Sequence, residues 1–312
     1  MPATTRSLLM GAGLLAALMH PLYAQRTLTG IVQDPQGAAI PFAVVELPAR
    51  KLGVQANDEG LFSFPLPAGL TPADSLTFSA LGYERRRVAV PAEAAATLRL
   101  AALPVSLSEV VVRPGVAEWV GFKGVPKSRG GYRQTILLRE KNTGWQIARR
   151  CQPTADGYLT AVRFFVNPSH DCGKTGLRAP FRVRVYAADG PGGSPGTDLL
   201  TTSVLAAATN RGWITVDMNR YTISFPQRGV YVAMEWLHTS DEFLCRSISY
   251  NPESHQKMEQ VNYEQSLASA LVPTAEAHTW YHTIDYGWVS FNRRFAEQSQ
   301  ILDAAIQARS QP

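Results

Sequence analysis

His278 and His282 stand four residues apart, His255 and Glu259 repeat that interval, and His170, Asp171 and Cys172 are adjacent. These residue types could hold zinc or arm a nucleophile. A catalytic zinc needs about three converging imidazole or carboxylate ligands and one open position. On a helix the four-residue interval would align both imidazoles. The segment Thr279-Trp280-Tyr281-His282-Thr283-Ile284 reads as a strand instead, where i and i+4 lie about 13 Å apart. That is too far for one ion. His255 and Glu259 could share a helical face, but no third ligand accompanies them. Adjacent residues rarely aim at one point, and Asn167-Pro168 and Gly173 mark a loop around His170-Asp171-Cys172. A Ser or Cys nucleophile needs a base within reach, and the spacing supplies none. Gly192-Gly193-Ser194-Pro195-Gly196 fits Gly-x-Ser-x-Gly in letters only, because the 190–196 run carries prolines and precedes no clear helix, and for the same reason it is no Gly loop that cradles phosphate. The expectation is a chain with no catalytic residues, no metal site and no cofactor.

Binding fits the residues better. Trp213, Trp236, Trp280 and Trp288 all lie in the second half. Exposed aromatics stack on sugar rings or on protein surfaces, and these four are the candidate ligand contacts; the competing reading places each in a core. Asp189, Asp198 and Asp217 could offer oxygens to Ca²⁺, and turn chemistry accounts for them equally well. The net charge of +5 comes from scattered residues, with Arg85-Arg86-Arg87 the one tight triplet, inside a strand-like run. A solvated strand face explains it, so no nucleic-acid partner is expected.

The elements that must position these residues are short strands between Gly, Pro and Asp turns. Residues 28–90 alternate in this way at close, regular intervals, the pattern of a small all-β sandwich. Asp34-Pro35-Gln36-Gly37 reads as a turn, with Pro setting one angle and Gly free to take positive φ. Asn57-Asp58-Glu59-Gly60 reads as a hairpin turn before a strand with Phe62 and Phe64 on one face and Leu61 and Ser63 on the other. In the second half, Phe181-Arg182-Val183-Arg184-Val185-Tyr186 alternates strictly, which predicts a buried apolar face and a wet arginine face. Residues 297–308 carry Ile301, Ala304, Ala305 and Ala308 at helical spacing, which predicts a short C-terminal helix.

Residues 1–24 read as an export signal: Arg6, an apolar stretch over 8–19, then His20-Pro21 and a small residue, Ala24, at the cut. No later segment is apolar enough for a membrane helix. Export permits disulfides. The three cysteines, Cys151, Cys172 and Cys245, allow at most one bridge among themselves. Cys151 with Cys172 is the preferred pair, with Cys245 buried; the alternative is three reduced core thiols. The expected organisation is a signal at 1–24, a sandwich at 25–112, a linker at 113–131, a second sandwich at 132–295 and a helical tail at 296–312.

The first unit resembles the carboxypeptidase regulatory-like domain, a transthyretin-like β-sandwich common in exported Bacteroidetes proteins. The resemblance rests on Gly30-x-Val32-x-Asp34, Gly37, Ile40-Pro41-Phe42-Ala43, Asn57-Asp58-x-Gly60-x-Phe62, Asp74-Ser75-Leu76, Leu81-Gly82-Tyr83 and Leu107-Ser108-Glu109-Val110-Val111-Val112. It implies that the Gly and Asp positions are turns and the aromatics core, and it implies no peptidase activity. In that family the domain often precedes an outer-membrane receptor barrel. The rest of this chain lacks the succession of alternating strands that a large barrel needs. The second unit is similar to an uncharacterised sandwich, jelly-roll-like, that follows this module in related proteins. Together these readings predict an all-β, exported, non-catalytic protein that binds a protein or glycan at the cell envelope. The alternatives are a structural module of an envelope complex and an uncharacterised hydrolase.

Overall fold

The computed structural model describes residues 26–103, 116–124, 126, 133–137, 144–166, 178–250, 253–294 and 297–312. The 1–24 segment read as an export signal, Cys172 and the 107–112 segment lie outside them.

The first unit comprises β1 (Arg26–Gln33), β2 (Val44–Leu47), β3 (Leu52–Gln55), β4 (Leu61–Leu66), β5 (Ser75–Ser79), β6 (Arg86–Ala89) and β7 (Ala95–Arg99). They form two sheets, ordered β4-β1-β7 and β3-β2-β5-β6. Leu28, Phe62, Phe64 and Leu98 from one sheet meet Val45, Leu47, Leu76 and Phe78 from the other in a shared core. The hairpin turn forms as its residues require. Asn57 Oδ1 accepts from the N–H groups of Glu59 and Leu61 at 3.0 and 2.8 Å. Gly60 sits at φ 73°, Leu61 and Ser63 face out, and Phe62 and Phe64 are buried.

Gly60 and Gly193 both hold positive φ, 73° and 78°, yet their surroundings differ. A Cβ on Gly60 would lie 2.8 Å from the Val32 carbonyl oxygen, whereas one on Gly193 meets nothing within 4 Å. Both valine variants suffer the backbone strain, and only Gly60→Val adds a collision with backbone. Gly60→Val should therefore destabilise by about 1–3 kcal/mol more than Gly193→Val. Denaturant midpoints compare them, and equal midpoints would contradict the turn's role.

The second unit comprises β8 (Glu118–Gly121), β9 (Arg133–Leu137), β10 (Gln146–Cys151), β11 (Gly157–Val166), β12 (Phe181–Ala187), β13 (Val204–Ala206), β14 (Gly212–Asp217), β15 (Ser224–Phe225), β16 (Val230–Trp236), β17 (Leu244–Tyr250), β18 (Lys257–Pro273), β19 (Thr279–Thr283), β20 (Gly287–Ser290), a one-turn helix α1 (Phe291–Arg294), β21 (Gln300–Ala304) and β22 (Ile306–Gln311). One sheet runs β13-β12-β16-β10-β19-β20; the other follows β17-β18-β11-β22-β8, with β14 and β15 also on β11 and β9 and β21 on β18. The core lies between them, where Phe164 of β11 meets Phe181 of β12 edge-on at 5.1 Å. The protein is thus all-β, as its turn pattern predicts.

Two boundaries are corrected. The tail is not helical: Ile306, Ala308 and Ser310 are buried while Gln307 and Arg309 alternate outward, and β22 pairs with both β11 and β8. Alanine suits either period, and the vacancy between two strands decides it. The 113–131 segment is not only a linker, because β8 is an edge strand of the second sandwich and Phe122 is 1% exposed. Cys151 is buried in the core, where burial pushes its thiol up to about 11; its expected pair with Cys172 lies outside the described residues. Cys245 lies on β17, opposite Asn262.

Candidate functional site

The outer face of the larger sheet carries a row of side chains set by strand register. Thr215 of β14, Arg163 of β11 and Gln307 of β22 lie side by side, and Gly121 of β8 continues the row. Trp213 and Trp119 stand one step off this row, on β14 and β8, and close over it from either side. The Arg163 guanidinium lies 4.1 Å from the Trp119 ring centre and 4.7 Å from that of Trp213. Cation–π contact with both rings holds it in place. Its Nε donates to Gln307 Oε1 at 2.5 Å, and Gln307 Nε2 donates to the Phe122 carbonyl at 2.6 Å. Phe165 supports Trp213 edge-on at 5.5 Å.

This platform opens into a cleft of about 1100 Å³, bordered by the 118–124 segment and by Arg149, Arg150, His278 and Asp303. The acidic groups there are largely committed. Glu118 Oε1 accepts from the Thr154 N–H and hydroxyl at 2.8 Å each, and the backbone bond holds its carboxyl below the usual range. Asp303 pairs with Arg149 at 2.9 Å, both buried, and accepts from the Thr279 hydroxyl at 2.7 Å and the His278 N–H at 3.1 Å. Burial, then Arg149, lowers the His278 imidazole, which favours its neutral form. Shape, aromatic faces and fixed donors suit this cleft to holding a ligand.

The four tryptophans proposed from sequence part company. Trp213 lies in the cleft. Trp236 is 2% exposed and gives its indole N–H to the Gln265 carbonyl at 2.6 Å, so it is a core residue and not a contact. Trp280 and Trp288 come together on the outer face of the other sheet, edge-on to Tyr231 and Tyr186 at 6.1 and 5.3 Å. Arg163, Trp119 and Gln307 escaped the sequence reading. The one signal for Arg163 is its place as the lone charge in an otherwise apolar strand, 161–166. Among the described residues no three His, Cys, Asp or Glu side chains gather as metal ligands. Asp189 holds the Thr197 N–H and hydroxyl, Asp217 caps Asn219, and Asp198 pairs with Arg184.

The strictly alternating strand β12 yields the largest departure. Its arginine face is not wet. Arg182, Glu235, Gln146, His282 and Trp288 form one register row across β12, β16, β10, β19 and β20. Arg182 and Glu235 are 2% and 1% exposed. Glu235 Oε2 lies 2.9 Å from Arg184 and 3.5 Å from Arg182. Burial pushes the Glu235 carboxyl up, the two guanidiniums outweigh it, and the net direction is down. Burial lowers the His282 imidazole. The first unit supplies the cover: Gln55 Nε2 donates to Glu235 Oε1 at 3.1 Å, and the Phe42 ring lies 5.3 Å from the Arg182 guanidinium.

That first unit now has its sheets, its Asn57–Gly60 turn and its aromatic core in place. Residues 27–103 match the family model of the carboxypeptidase regulatory-like domain. No curated protein matches the chain. Among solved structures, a clostridial cysteine protease after propeptide cleavage is similar at 13% identity and a TM-score of 0.34, over 57% of this chain and 40% of that one.

Within the regulatory-like domain, two special backbone positions serve the junction. Phe42 holds φ 57°, which costs a non-glycine residue about 1–3 kcal/mol; its ring is the one that meets Arg182. Gly82, at φ 82°, approaches the Thr201 carbonyl so closely that a Cβ would lie 1.9 Å from the oxygen. The domain's arginine triplet is spent internally: Arg85 on Glu46, Arg86 on the Arg99 carbonyl and Arg87 on Ser75.

Proposed function

We propose that the chain is an exported, non-catalytic binding protein of the cell envelope whose second sandwich recognises a glycan, with the regulatory-like domain as its structural partner. The observation that carries this reading is the cleft in which Trp119 and Trp213 flank a fixed Arg163. Aromatic faces beside planar, pre-positioned donors favour a sugar ring with its hydroxyls. The ionic layer sealed by Gln55 and Phe42 supports the accessory role of the first domain.

Two experiments test the reading. Full-length protein should be retained on at least one of cellulose, xylan, mannan, chitin or pectate, and Trp119→Ala and Trp213→Ala should each weaken retention roughly tenfold or more. Retention on none, or retention unchanged in both variants, would sink it. Export rests on residues 1–24. Protein taken from the exported fraction should begin at Gln25, and a retained Met1 would count against export.

A further inference from the structure

We propose that the cleft takes an acidic glycan, with the free edge of the Arg163 guanidinium receiving a carboxylate or sulfate group. This rests on the glycan reading and narrows it. A guanidinium has two faces and a rim of five donors. Trp119 and Trp213 both pack against the Arg163 guanidinium, which lies 4.1 and 4.7 Å from their ring centres. On the rim, Nε is taken by Gln307. Neither terminal nitrogen, Nη1 nor Nη2, has a hydrogen-bond partner among the described residues. Burial already weighs against the cation's charge, and among the described residues no carboxylate pairs with it. Its open edge in the cleft is met by solvent until an anion replaces that solvent with charge-assisted hydrogen bonds. Gln307 and the two indoles also fix the plane, so the open edge is pre-organised for the fork geometry that planar oxyanions accept.

The surroundings agree in sign. Arg149 and Asp303 neutralise each other. Lys123 and Arg150 then join Arg163 in the cleft, against Glu118 and Glu276, and Glu118 is occupied by Thr154. A neutral glycan would use the tryptophan faces and leave the guanidinium edge unmet. An acidic one uses both.

The test is calorimetric titration of the full chain with tetragalacturonate, with a sulfated chondroitin tetrasaccharide and with neutral xylotetraose. At least one acidic ligand should bind roughly 10- to 100-fold more tightly than the neutral one, the range for a charge-assisted hydrogen-bonded contact. That preference should shrink as salt rises. Arg163→Gln should remove the preference for the acidic ligand, with Arg163→Lys intermediate. Which acidic ligand wins separates carboxylate from sulfate, and either supports the proposal. Equal affinity for acidic and neutral ligands would overturn it while leaving the glycan reading intact. Acidic binding unchanged in Arg163→Gln would overturn the role of this residue. No binding by any of the three would overturn the acidic-glycan proposal, while the glycan reading itself falls only with retention on none of the five polysaccharides. The wild-type comparison stands even if a variant fails to fold.

Discussion

Glu235→Ala should destabilise the protein by about 3–5 kcal/mol, the cost of leaving buried charge without its partner. Among the described residues Glu235 is the carboxylate that pairs with Arg182, and it shares Arg184 with Asp198. Its removal strands Arg182 in a site that is 2% exposed and orphans the Gln55 amide that joins the two domains. An exposed pair provides the contrast: Arg246 and Glu259, at 2.9 Å with 68% and 56% exposure. Glu259→Ala should therefore change stability by no more than about 0.5 kcal/mol. Denaturant titration of the two variants checks both values. A Glu235→Ala loss below about 1 kcal/mol would mean that water reaches this layer and that the regulatory-like domain does not seal it.

Trp236→Ala should cost a similar amount, about 3–5 kcal/mol, through the cavity it leaves. The indole fills the centre of the second sandwich, and its loss also strips a donor from the Gln265 carbonyl. Trp213→Ala should cost less, because that ring lies on the outer face and is only half-buried. The two variants separate a core tryptophan from a contact tryptophan by thermal melts alone. Equal losses would contradict the placement of these side chains.

The fold was legible wherever local chemistry decides it. Asn57 and Gly60 can build the hairpin turn from their own side chain and backbone, and Phe62 and Phe64 follow by alternation. Where long-range partners decide, the sequence misleads. The arginines of β12 read as wet because nothing near them in sequence shows Glu235, 51 and 53 positions away, or Phe42 of the other domain. The 297–308 segment reads as helix because Ile301, Ala304, Ala305 and Ala308 fit a 3.6 period. Pairing with β18 makes its first part β21, and the open slot between β11 and β8 makes its end the start of β22. The site suffers from the same blindness. Trp119, Arg163, Trp213 and Gln307 come from four separate strands, and only sheet register brings them together. Tryptophans of the second unit alone therefore point to Trp213 and miss Trp119, in the segment read as a linker, along with Arg163 and Gln307.

The central claim is that this cleft, and no other aromatic surface, receives the ligand. The six tryptophans of the chain each supply one indole N–H signal in a ¹⁵N-labelled sample. Titration with tetragalacturonate should move the signals of Trp119 and Trp213 and leave that of Trp236, locked on Gln265, in place. Movement of Trp280 and Trp288 with Trp119 and Trp213 unmoved would contradict the account, because it would put the ligand on the opposite sheet.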